Sequence, residues 1–205
     1  MNHRLFLPLI LLSWISMFFG TSYVQIMPLF ADMLQSGERG FGLLISATGV
    51  GSIIGNLFIT RYQDSRKLGI MMLSSAAMAP FFLLGFSLVA WILSGTSGVF
   101  WLACCFAILN SAFSSVFLVS SMTVLQIKVP DAFRGRVMGI HSISFGMMTM
   151  GGLSAGVLAS QFSAPVAVII GAIVVLSSVI WVVFKVSEIV KLDLNLQLKQ
   201  TESFL

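Results

Sequence analysis

Six apolar stretches follow one another along this sequence, at residues 5–30, 41–60, 69–90, 99–124, 137–159 and 166–184, with only short polar breaks between them. A bilayer core of about 30 Å takes about 20 apolar residues per helix. Backbone groups cannot be left unpaired in hydrocarbon, so a chain that enters it must do so as helices or as a closed barrel. Runs of this length without strand alternation choose the helix. The expected fold is an all-α membrane protein, one six-helix domain over residues 1–186 with a polar tail at 187–205. Composition excludes the soluble alternative: 58% of the residues are hydrophobic, 9% are charged and mean hydropathy is +1.02.

A cleavable leader would be one short apolar run ending in small residues, whereas residues 5–30 are longer and further spans follow, so the first run reads as a membrane helix. The pI near 9.4 is compatible with nucleic acid, but the cations are neither clustered nor interleaved with aromatics, so no nucleic-acid partner is expected. Their placement fits topology instead. With the N-terminus in the cytoplasm, Arg4, Arg61, Arg66, Lys67, Lys128, Arg134, Arg136, Lys185, Lys191 and Lys199 fall inside and only Arg39 falls outside. That asymmetry is the positive-inside signature and puts both termini in the cytoplasm.

Small residues give the next level of organisation. The second span carries Gly49, Gly51 and Gly55 and the fifth carries Gly152 and Gly156. Their spacing does not fit a dinucleotide loop, and no strand precedes them. In a membrane such residues let helix backbones approach closely, and all five are expected to be packing positions. Cys104 and Cys105 are adjacent in an apolar run, which suits packing and not a disulfide or metal site. No metal and no cofactor are expected.

Polar residues divide the spans unequally. The third has only Ser74, Ser75 and Ser87, and the sixth only Ser177 and Ser178, so those two can face lipid. The first, second, fourth and fifth are richer and should turn toward protein or a wet cavity, because polar groups are costly in hydrocarbon. The chain therefore reads as two triplets, each with two inner helices and one outer, related as inverted repeats like those of secondary transporters.

Candidate site residues follow from this division. Gln25, Asn56, Asn110, Ser114 and His141 are candidates to line a polar cavity and bind substrate, against the alternative that they bridge packed helices. His141 admits proton sensing or a neutral ring bonded to a neighbouring helix. Asp131, Arg134, Gly135 and Arg136 form a charged break that either latches one access state or caps and anchors the following helix. Arg61, Asp64, Arg66 and Lys67 form a second such break, read as latch or topology signal. No carboxylate lies deep in any span, and Asp32 near an outer end is a minor coupling candidate. Catalytic residues are not expected: there is no His-Glu-x-x-His helix, no paired intramembrane aspartates and no serine with a placed base.

With those residues in view, VPDAFRGRVMGI at 129–140 resembles the cytoplasmic loop between the tenth and eleventh helices of major facilitator superfamily transporters. The similarity is greatest to the branch of enterobactin-exporter-like and related drug exporters. PLFADMLQSGERGFGLLISATGVGSIIGNL, at 28–57, resembles the connection of the seventh and eighth helices in the same branch. The resemblance implies the C-terminal six-helix half of a twelve-helix exporter in the plasma (inner) membrane, carrying a siderophore-like or amphipathic drug-like small molecule. Such transporters alternate access between two halves. The N-terminal half is then a separate chain, a missing part of the same chain, or a second copy. The alternative is a truncated, non-transporting membrane protein or a partner-binding membrane module.

Overall fold

The computed structural model describes residues 3–62, 68–94, 96, 98–128 and 131–185. Among them every regular element is helical. The helices are α1 (His3–Ile15), α2 (Met27–Met33), α3 (Gly37–Tyr62), α4 (Leu68–Ile92), α5 (Val99–Lys128), α6 (Asp131–Gln161) and α7 (Ala164–Lys185). Six spans are long and apolar enough to cross a membrane: Pro8–Met33, Gly37–Arg61, Leu68–Ile92, Val99–Ile127, Met138–Gln161 and Ala164–Phe184. The chain is a multi-pass membrane protein.

The first span is not one helix. After α1 it widens into a π-helical turn at Ser16–Gly20, bends at Thr21, and tightens into a 3-10 turn at Ser22–Ile26 before α2. Pro28 lies in the first turn of α2, where its missing N–H is no loss. The hydroxyls patch the break locally: Thr21 donates to the Met17 carbonyl at 2.7 Å and Ser22 to that of Phe19 at 3.1 Å. Length and hydropathy carry no sign of this interruption.

A second departure lies at the charged break of residues 126–141. The loop expected up to residue 136 is mostly helix, because α6 starts at Asp131, immediately after Pro130. Proline removes no helical bond when it stands before the first turn, and an acid there suits the helix dipole. Gly135 and Arg136 thus sit on the first turns of a helix.

Contacts between spans follow two parallel pairs. Gly51 and Gly55 of α3 meet the backbone of Ile108 and Ala112 of α5, so these two helices run in the same direction. Trp14 donates its indole N–H to the Ile140 carbonyl at 3.3 Å, and Gly151 lies against the Phe18 backbone, so the first span and α6 also run together. The tight turn between α2 and α3, with Gln35 at φ 51° and Gly37 at φ 59°, makes the two pairs antiparallel to each other. Exchanging spans one, two and three with four, five and six converts one pair into the other. It also converts the packing of α4 on α5 into that of α7 on the first span, and leaves the contact of α4 with α7 in place. This is the pattern an inverted repeat of three helices generates.

Two apolar clusters fill the body. One gathers Tyr23, Phe30, Leu44, Phe86, Ala103 and Ala172, with the Phe30 and Phe86 rings 4.9 Å apart. The other gathers Leu9, Leu12, Met72, Phe117, Leu125 and Val179. The third and sixth spans, expected as outer helices, do carry exposed apolar side chains such as Phe81, Trp91, Ile173 and Phe184. They are also the better packed. Buried residues make up 44% of the apolar stretch of α4 and 39% of α7, against 28% for α3 and 22% for α6. Within this six-helix body the polar-rich α3 and α6 are the exposed helices.

Candidate functional site

The sequence candidates for a polar cavity do not meet in one place. Asn110 and Ser114 of α5 line a small cavity with Ser16, Gly20 and Thr21 of the broken first span and Pro80 of α4. Leu83 at one wall belongs to the first apolar cluster and Phe117 at another to the second, so the cavity lies between the two clusters near mid-span. Its volume is about 30 Å³. Pockets for drug-sized molecules run to about 300–1,000 Å³, so in this conformation the space beside Asn110 and Ser114 is too small for such a substrate.

The other candidates lie elsewhere. Gln25 is exposed, with its side chain laid over Gly152 of α6. Asn56 is exposed on α3. His141 is 2% exposed and neither ring nitrogen has a hydrogen-bond partner. The bond to a neighbouring helix that would hold a neutral ring is absent. Ser120 and Ser144 share its condition. The serines that do bridge helices are Ser111, donating to the Thr48 carbonyl at 2.7 Å, and Ser87, donating to the Pro165 carbonyl at 3.0 Å.

The glycines separate into two faces, and here the expectation needs correction. Gly51 and Gly55 are close-approach positions: a methyl group on either would strike a backbone carbonyl of α5. Gly152 is covered by Gln25. Gly49 and Gly156 have open space where a side chain would grow. The reason is the 100° turn per residue, which sends Gly49 to the face opposite Gly51. Gly151, against the Phe18 backbone, and Gly85, against the Phe106 ring, are packing positions that carried no separate signal in the sequence.

The open face has its own order. On α3 the residues Gly42, Ser46, Gly49, Ile53, Asn56 and Thr60 recur at intervals of four and three, and all are exposed. On α6 the same spacing links Gly135, Gly139, Ser142, Gly146, Thr149 and Leu153, again all exposed. Several of these hydroxyls satisfy themselves: Ser46 donates to the Gly42 carbonyl at 2.8 Å, Thr60 to Leu57 at 2.9 Å and Ser142 to Met138 at 3.0 Å. Ile53 and Leu153 stand out from these strips as large exposed side chains, and the remaining positions are small or polar, the kind of surface that lets a further helix approach closely in a membrane.

Of the two charged breaks, Arg61 ends α3 and Arg136 opens α6, both exposed and at the same end of the body. Glu38 and Arg39 lie at the opposite end, where α3 begins. Asp64, Arg66 and Lys67 lie outside the described residues, as do the side chains of Asp131 and Arg134. Among the described residues no group of His, Cys, Asp and Glu could hold a metal ion.

No curated protein and no solved structure matches the chain. The family model of the Major Facilitator Superfamily matches it over residues 9–201, from the first span through α7 and into the tail. With six membrane-length helices and that match, the chain belongs to the Major Facilitator Superfamily of membrane transporters.

Proposed function

We propose that this chain is one six-helix half of a secondary exporter, and that a second six-helix half covers the small-residue strips of α3 and α6. The observation that carries this reading is the exposure of those strips. A strip rich in Gly, Ser, Thr and Asn gains little from lipid tails, while small residues gain from the van der Waals contact of a close helix. The second half is a separate chain, a further part of the same chain or a second copy. Substrate passes between the halves, where Asn56 faces the interface, and not through the internal cavity. A siderophore-like or amphipathic drug-like molecule is the cargo favoured by the similarity at 28–57 and 129–140.

Alternating access needs contacts that differ between states. Gly135 and Arg136, with Asp131 and Arg134 beside them, supply one candidate latch, and Arg61 with Asp64, Arg66 and Lys67 supplies the other. This reading places the chain in the inner membrane with both termini cytoplasmic.

The test is efflux of a fluorescent amphipathic dye from cells that produce this chain with and without a six-helix N-terminal half of the same superfamily. Export that requires both supports the proposal. Export by neither, with both halves present in the membrane and bound to each other, overturns it.

A further inference from the structure

We propose that the first half of α6, residues 131–145, is a flap that hinges at Gly146 and is clasped shut by Trp14, and that lifting it uncovers His141. The proposal concerns the inner face of α6 and does not rest on the partner proposed for its outer strip. His141 is 2% exposed, and Ser144, one turn further on, is 0% exposed. Steps of four and three residues continue this face through Met148 to Gly151, which lies against the Phe18 backbone, so the face turns toward the first span. Ser120 of α5 is also 0% exposed. It stands between Phe117 and Val124, both members of the apolar cluster that holds Leu9 and Leu12 of α1. The faces of α5 and α6 that carry these three polar residues thus both bear on the first span.

The closed arrangement leaves them without partners. Neither ring nitrogen of His141 is hydrogen-bonded, nor is the hydroxyl of Ser144 or Ser120. Buried polar groups are nearly always paired in folded proteins, and an orphan weighs against the state that holds it. For Ser144 the cause is visible. Ser142 and Ser177 donate to the carbonyl four residues back in their own helices. For Ser144 that carbonyl belongs to Ile140, and it receives the indole N–H of Trp14 instead. Releasing Trp14 frees the acceptor for Ser144 and lets water reach His141, so opening satisfies groups that closure leaves bare.

The two halves of α6 are held differently. Beyond Gly146, Gly151 meets the Phe18 backbone and Gly152 lies under Gln25. Before it, Gly135 and Gly139 meet nothing, and the tie to α1 is the Trp14 bond, whose 3.3 Å is at the weak end of the range. Gly146 stands between the halves with open space around it. A glycine there gives the helix neither packing nor side-chain stiffness against bending.

Diethyl pyrocarbonate, which modifies an imidazole that solvent reaches, tests the flap on the full chain in detergent, with peptide mass spectrometry to read His141 apart from His3. His141 should react at least about tenfold more slowly than in the urea-unfolded chain, as protection by a closed local structure requires. Trp14→Phe keeps a ring but removes the donor, and should raise the rate about fivefold, the factor that loss of one hydrogen bond gives. Gly146→Ala fits the open space and stiffens the helix, and should lower the rate by about the same factor. Ser87→Ala, which weakens the α4 contact with α7 instead, should leave it unchanged. Reaction as fast as in the unfolded chain overturns the proposal. So does a rate that neither Trp14→Phe nor Gly146→Ala moves, or one that rises as much in Ser87→Ala as in Trp14→Phe.

Discussion

Gly51→Ala is the sharpest probe of how this body is held together. The added methyl group meets the carbonyl of Ile108, which is backbone and cannot rotate aside. To restore ordinary van der Waals separation α3 must retreat from α5 by about 1 Å. That shift stretches the Ser111 to Thr48 hydrogen bond from 2.7 Å to about 3.7 Å, beyond hydrogen-bond range. Its loss costs about 1 kcal/mol. Disturbed packing along the two helices adds about 1–3 kcal/mol, and the better helix propensity of alanine returns about 1 kcal/mol. The net is about 2 kcal/mol, a fall in Tm of about 4–8 °C.

Thermal unfolding in detergent, followed by tryptophan fluorescence, reads this directly. Gly49→Ala is the control: open space surrounds that position, so only the propensity gain of about 1 kcal/mol applies, and Tm should rise by about 2–4 °C. A double-mutant cycle gives the second check. Ser111→Ala should cost about 1 kcal/mol in the parent and almost nothing in the Gly51→Ala protein, where the bond is already broken. Equal stability of the Gly51→Ala and Gly49→Ala proteins, or full additivity with Ser111→Ala, would refute the reasoning.

Further expectations concern other contacts. Gly151→Ala, which meets the Phe18 backbone, should cost about 1–3 kcal/mol, while Gly152→Ala displaces only the flexible Gln25 side chain and should cost less than about 0.5 kcal/mol; the same melts compare them. Ser87→Ala removes the buried bond to the Pro165 carbonyl, 3.0 Å long, and should cost about 1–2 kcal/mol with a loosened α4–α7 contact visible by hydrogen exchange. Gly146→Trp should leave Tm unchanged, because the position faces open space, yet abolish co-purification with a six-helix partner; retained association would remove that strip from the interface.

How much of this could be read from the chain depends on the range of the interaction. Hydropathy alone determined the six helices, because lipid forces every long apolar run to satisfy its own backbone. The paucity of charge removed soluble folds from consideration, whereas the start of α6 at Asp131 lies six residues before the span read from hydropathy at 137–159. The motifs at 28–57 and 129–140 carried the superfamily membership that the match over residues 9–201 bears out.

What the sequence left open was decided by which residues another helix approaches. Gly49 and Gly51 differ by two positions and are the same amino acid, yet one faces open space and the other a carbonyl of α5. The choice between them is made by the azimuth of α3 about its axis, which packing against α5 sets. The same holds for Asn110 and Asn56, one enclosed beside the break in the first span and the other exposed on α3. The break itself, from π-helical at Ser16 to 3-10 at Ser22, is invisible to hydropathy because both conformations keep apolar side chains in lipid or in the core. Hydrophobic length fixes where a helix lies along the membrane normal. Only contacts with its neighbours fix which side of it is buried, and the small cavity beside Asn110 and the exposed strips both arise at that step.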